Sequence, residues 1–156
     1  RVVKQVPTAR CHFVTGQEAY LADHPLRHAP WVTVEHRPFD ELPALMAAAT
    51  IAVSPLRRTE YNDLAIAVKL FDFMSYGLPI VTTNCTAMAA LVEKLDSGLA
   101  TGILRLLEDR ALATRMGRNG HRAIQAEHSW RQRGQQVLHL VEEIEREHAH
   151  AHPARQ

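Results

Sequence analysis

Lys69 and Asp72 stand three residues apart in a stretch that is otherwise apolar, Ala67-Val68-Lys69-Leu70-Phe71-Asp72-Phe73-Met74-Ser75-Tyr76-Gly77-Leu78-Pro79-Ile80-Val81. On a helix that spacing puts both charges on one face, where an ion pair across one turn contributes only about 0.2–0.5 kcal/mol. Burying either charge without a partner would cost several kcal/mol. A polar ligand held by both would relieve that cost. Lys69 can bring a full positive charge to phosphate oxygens, and the amides near Ala65, Ala67 and Val68 at the helix start would add partial positive charge. An ionised Asp72 offers two acceptor oxygens, which suits a ribose diol.

The elements that must position these residues follow from the pattern of short apolar runs and longer helical ones, which predicts strand–helix units around a parallel sheet. Strands are expected at Cys11 to Val14, closing at Thr15-Gly16; at Trp31 to Val34; at Ile51 to Pro55; and at Leu78 to Thr82. An alanine-rich helix capped by an aspartate is expected over Asp40 to Ala49. After the polar loop Leu56 to Asp63, a helix capped by Asn62 or Asp63 should begin near Leu64 and stop at Gly77, with Pro79 blocking its continuation. Beyond Asn84 no further strand is evident, and helices are expected over Ala87 to Lys94, Gly102 to Glu108, Ala111 to Glu127 and Ser129 to Glu147. In the last, Val137, Leu140, Val141 and Ile144 recur at helical spacing, the pattern of an amphipathic surface helix. The histidines of His148-Ala149-His150-Ala151-His152 read as a solvated tail rather than a metal site.

Ligands of open α/β sheets collect at the carboxyl ends of the strands. Here those ends are Thr15-Gly16, His36-Arg37, Ser54-Pro55 with Arg57 and Arg58 just beyond, and Thr82-Thr83-Asn84. Cations and hydroxyls along one rim suit an anionic, hydroxyl-bearing ligand such as a nucleotide. Taken singly, Arg57 and Arg58 read as ordinary loop polarity.

Composition bounds the rest. At 156 residues, 46% hydrophobic and 22% charged, the chain has enough apolar sequence for one domain with its own core. A formal net charge of +1 gives no general attraction to nucleic acid or to acidic membranes. Cys11 and Cys85 lack metal spacing and read as free thiols. No run is long and apolar enough to span a bilayer and no signal peptide opens the chain, so a soluble, cytoplasmic domain is expected. The opening Arg1-Val2-Val3-Lys4-Gln5-Val6-Pro7 reads like the end of a helix, as in a fragment.

In serial order these residues resemble the nucleotide-binding C-terminal domain of GT-B glycosyltransferases, specifically retaining family 4, the glycosyl transferases group 1. The likeness rests on Phe13 to Gly16, on the segment Val32 to Met46 with His36-Arg37-Pro38-Phe39, on Ile51 to Leu56, on Lys69 to Val81, and on Leu106-Leu107-Glu108-Asp109, Met116-Gly117 and Ser129-Trp130. It implies a Rossmann-like parallel sheet flanked by helices with additional C-terminal helices, one half of a GT-B fold. The core would span 8–98, the closing helices 99–149 and the tail 150–156. It also implies transfer of a sugar, of hexosyl type, from a UDP- or GDP-linked donor to a glycan or lipid-linked acceptor, as in polysaccharide biosynthesis. No cofactor, metal or nucleic acid is implied, and the fragment would not turn over alone. Peripheral contact with the inner face of a membrane would come through the N-terminal half.

By the same resemblance Asp72 takes the place of the family's second glutamate, on the ribose, and Lys69 lies near the diphosphate. His36 and Arg37 would lie near the base, Pro55 and Arg57 near the sugar or phosphates, and Gly16 among the residues that bind the nucleotide sugar. Two departures stand out. The family's first glutamate position is Leu64 here, and the link Glu93 to Gly102 is shorter than the family's strand-containing one. A nucleotide-sugar epimerase and a non-catalytic nucleotide-binding or scaffold domain are the alternative readings.

Overall fold

The computed structural model describes residues 2–17, 19, 22–99 and 102–151, with backbone alone at 130, 133 and 147–151. The expected histidine tail and the closing 152–156 lie outside the described side chains. Among the described residues the strands are all parallel and form two ladders. In one, β1 (Cys11–Val14) pairs with β2 (Val32–Glu35), Cys11 opposite Val32. In the other, β3 (Ala52–Ser54), β4 (Ile80–Thr82) and β5 (Gly98–Leu99) run in that order, with Ile80 opposite both Ala52 and Gly98.

Parallel neighbours need crossovers, and helices supply most of them. A short α1 (Val2–Gln5) precedes β1. A 3-10 turn at Phe39–Glu41 and α2 (Leu42–Ala48) carry the chain from β2 to β3. Between β3 and β4 lie α3 (Glu60–Leu64) and α4 (Lys69–Ser75), and α5 (Thr86–Lys94) connects β4 to β5. The chain then continues as α6 (Ile103–Glu108), α7 (Arg110–Ala123), a π turn at Ile124–His128, and α8 (Trp130–Ala151). This is the expected α/β architecture, parallel sheet with flanking helices and a helical C-terminal part.

The core sits on the second ladder. Side chains alternate across a strand, so Ile80 packs with Leu70, Met74, Met88 and Val92 of α4 and α5, while Val81 on the other face packs with Leu106, Leu112 and Met116 of α6 and α7. Two close backbone approaches lock α7 and β5 in place. Gly77, at φ +66°, ends α4, and a Cβ on Gly117 would fall 2.0 Å from the Gly77 carbonyl oxygen. A Cβ on Gly98 would fall 2.2 Å from the carbonyl oxygen of Ile80.

Several expectations are corrected. The helix expected from Leu64 to Gly77 is two helices: the Thr59 hydroxyl, not Asn62 or Asp63, caps α3 by accepting from Asn62 N–H. Ala65 is then extended (φ −89°, ψ 143°), and α4 restarts at Lys69. The aspartate cap of α2 is absent, because Asp40 lies inside the 3-10 turn and no side chain bonds the α2 start. A further strand does follow Asn84, the two-residue β5; with only Gly98 and Leu99 in it, no apolar run marks it in sequence. The expected helix Ala111 to Glu127 widens into the π turn at Ile124. The α8 helix forms, with Val137, Leu140, Val141 and Ile144 exposed along it. Both cysteines are free thiols; burial raises the pKa of Cys11, and Cys85 is fully buried.

Candidate functional site

The carboxyl end of the second ladder is tied together by hydroxyls at the end of β4 that bond backbone carbonyls of β3 and its loop. The Thr82 hydroxyl donates to the Ser54 carbonyl (3.3 Å) and the Thr83 hydroxyl to the Leu56 carbonyl (2.7 Å), fixing the loop after β3 against the end of β4. Ser54 is fully buried, and its Oγ has no partner among the described residues. The next turn is held by Asn62, whose Nδ2 donates to the Arg57 carbonyl at 2.7 Å. Asp63 clamps it to α5: one carboxylate oxygen accepts from Arg58 Nε (3.0 Å), the other from Thr86 N–H (3.1 Å). The Arg58 guanidinium, and after it the Thr86 amide, hold the Asp63 carboxyl below its ordinary pKa.

Lys69 and Asp72 project from the first turn of α4 beyond this clamp. Both are exposed, which corrects the expectation that the apolar surroundings would bury them. The reason is helical geometry: Leu70 and Met74, four apart, carry the buried stripe, and Lys69 and Asp72 share the opposite side. No ion pair or side-chain hydrogen bond joins Lys69 to Asp72 among the described residues, so both heads are available to a ligand. The amides expected to open the helix are partly used, since Ala65 N–H bonds Tyr61 C=O within α3. With α4 only seven residues long, Lys69 supplies the greater part of the positive charge there. Val68 is exposed and Ala67 half-buried against the core.

Of the remaining rim residues, Pro55 and Arg57 are exposed on the β3 loop, and the Arg57 guanidinium has no partner among the described residues. Gly16 and His36 come together at the ends of β1 and β2, where a Cβ on Gly16 would lie 3.9 Å from His36 Nδ1. Arg37 and Arg58 differ from the expectation of free rim cations. Arg37 sits against Glu35 (3.0 Å) and Glu41 (2.7 Å), and Arg58 against Asp63. Arg37 in turn holds the Glu35 carboxyl below its ordinary pKa. No hydrogen bond or ion pair among the described residues links the Gly16–His36–Arg37 group to the Pro55–Asp72 group, and the two groups end separate ladders.

Sequence reasoning missed the apolar lip of the rim. Tyr61, Leu64, Ile66 and Val68 are all exposed, Leu64 at 86%. A run this apolar between the β3 loop and Lys69 offers a surface on which a ring or a neighbouring domain can lie. Tyr61, an aromatic inside a polar loop, was the available signal. The Asp63 clamp had none, because Arg58 and Thr86 are not placed at a helical or strand period from it. Among the described residues there is no metal-binding cluster, and no helix long and apolar enough to cross a membrane.

A family model for glycosyl transferases group 1 matches residues 1–118, a span that contains both ladders and the whole rim. No curated protein and no solved structure gives a significant match.

Proposed function

We propose that this chain, which belongs to the glycosyl transferases group 1 family, forms the donor-binding half of a GT-B enzyme and holds a nucleotide-diphosphate sugar at the carboxyl rim of its second ladder. The observation that carries this reading is the exposed, mutually unpaired Lys69 and Asp72 one turn apart on α4. Asp72 accepts the two hydroxyls of the ribose, and Lys69 faces the diphosphate. Arg57 and the backbone around Pro55 line the phosphate and sugar side, and Gly16 and His36 the base side. Tyr61 and Val68 give the donor an apolar flank.

In this reading the domain's chemical contribution is electrostatic. As the bond between the sugar and the diphosphate breaks, negative charge grows on the leaving oxygens, and a lysine already aimed there stabilises that charge more than it stabilises the intact donor. Activation of the acceptor hydroxyl comes from groups outside this rim. Retention of the anomeric configuration, a hexosyl donor and a glycan or lipid-linked acceptor follow from the resemblance and are part of the proposal, as are action in the cytoplasm and contact with a membrane surface.

Titration calorimetry of the intact protein with UDP and GDP tests this. A hydrogen bond to a charged group contributes about 1.5–3 kcal/mol, so Asp72→Asn should weaken the preferred nucleotide about tenfold or more. Lys69→Ala should weaken the diphosphate more than the nucleoside. Unchanged affinity in Asp72→Asn removes the ribose role. Absence of binding to either nucleotide favours a scaffold domain, a reading to which the exposed Leu64 at the family's first glutamate position also lends support.

A further inference from the structure

A cavity lies at the other end of the sheet. About 800 Å3 in volume, it opens between the α4–β4 turn (residues 75–79), the end of α2, and one face of α7. Because Thr50 precedes β3 and Pro79 precedes β4, this is the amino end of the strands, and none of the rim residues lines it. Arg110, Thr114, Arg118 and Arg122 follow one another at intervals of four, so α7 presents them along a single face.

That face is cationic, and no ion pair neutralises it among the described residues. Helix α7 contains no acidic residue, and no carboxylate is among the described residues lining the cavity. Asp109, at the head of α7, accepts from Leu112 N–H. Asp96 takes up Arg115 and Asn119 instead. Arg122 reaches only neutral acceptors, the Arg118 carbonyl (3.4 Å) and Asn119 Oδ1 (2.8 Å), and Arg110 and Arg118 have no ion-pair partner among the described residues. Three arginines elsewhere, Arg37, Arg58 and Arg115, each meet a carboxylate within 3.1 Å. The wall is also rigid. Gly117 rests on the Gly77 carbonyl, and His121 Nδ1–H donates to the Ser75 carbonyl at 2.8 Å while its Nε2 accepts from Gln125 at 3.0 Å. Like charges held on a fixed concave wall focus a positive potential, and planar guanidinium forks match phosphate oxygens in pairs.

We propose that this cavity is a second anion site, separate from the donor rim, in which Arg110, Arg118 and Arg122 hold a phosphate-bearing ligand, either a free polyphosphate or a phosphorylated headgroup. The test uses the full-length protein at constant ionic strength with two probes: tripolyphosphate by calorimetry, and co-sedimentation with phosphatidylglycerol vesicles against phosphatidylcholine vesicles. Wild type should bind at least one anionic probe, and R110Q/R118Q/R122Q should weaken that binding at least tenfold with an unchanged circular dichroism spectrum. The single R118Q, which alters one exposed side chain, should weaken it about threefold. Arginine-dependent binding of tripolyphosphate identifies a soluble ligand; arginine-dependent binding of the anionic vesicles alone identifies a headgroup. The proposal is overturned if wild type binds neither probe, if the triple variant binds as wild type does, or if Lys69→Ala removes the binding as fully as the triple variant, which would put the anion at the donor rim.

Discussion

The strand β4 is buried at Ile80, Val81 and Thr82, whereas no residue of β1 or β2 is fully buried, and Phe13 on β1 is 39% exposed. Both ladders are parallel and both have regular register, so the ladder is not what makes the difference. What differs is cover. The second ladder has α4 and α5 on one face and α6 and α7 on the other, and parallel strands hold a core only when both faces are covered. On the first ladder, surface pairs take the place of packing: Glu35 lies between His12 and Arg37, and Arg37 reaches on to Glu41. Stability is therefore concentrated between residues 52 and 120, and the carboxyl rim of the second ladder inherits its rigidity from that half.

Three measurements bear on this contrast. Met74 is fully buried between α4 and the second ladder, and Met74→Ala should cost about 2–5 kcal/mol in denaturant unfolding, the usual range for emptying a core site. A cost under about 1 kcal/mol would mean the core is centred elsewhere. Phe13→Ala on β1 should cost about 1 kcal/mol or less, since a half-exposed ring has less apolar area to lose. A cost equal to that of Met74→Ala would show that β1 is covered after all, and the contrast would fall.

The smallest effect is at the clamp between the β3 loop and α5. Asp63 has a folded pKa below its ordinary value, so the carboxylate's contribution is complete above the unfolded pKa of about 4. It is lost as pH falls through the lower, folded value. An NMR pH titration should show the Thr86 amide following Asp63 with a midpoint below that of a free aspartate. Arg58→Gln should raise that midpoint, because the Arg58 hydrogen bond is its largest cause; no movement would leave Thr86 N–H as the main support.

Much of the second ladder was legible because its signals are local. The apolar runs marked β3 and β4, Gly77 and Pro79 marked the end of α4, and Ala87 to Lys94 read as a helix, one residue short of the observed start at Thr86. The break at Ala65–Val68 was not legible, since the residues around it are apolar and carry no glycine or proline. It arises where α3, capped by Thr59, spends its last hydrogen bond at Ala65. The two-residue β5 was hidden for another reason: Gly98 is there to let the Ile80 backbone approach, a demand made by a strand 18 residues away.

At the site the same division holds. Local pattern in the sequence determined that α/β units alternate, that Lys69 and Asp72 share a helix face, and that cations and hydroxyls gather along the rim; the serial order of its segments pointed to the glycosyl transferases group 1. Only the tertiary structure decided that both charges face solvent, that Arg37 and Arg58 are already matched by carboxylates while Arg57 is not, and that the arginines of α7 line a cavity of their own. Helical period and turn chemistry act over a few residues and can be read from them. Burial and charge pairing depend on which distant residues arrive alongside, and only the packed chain specifies that.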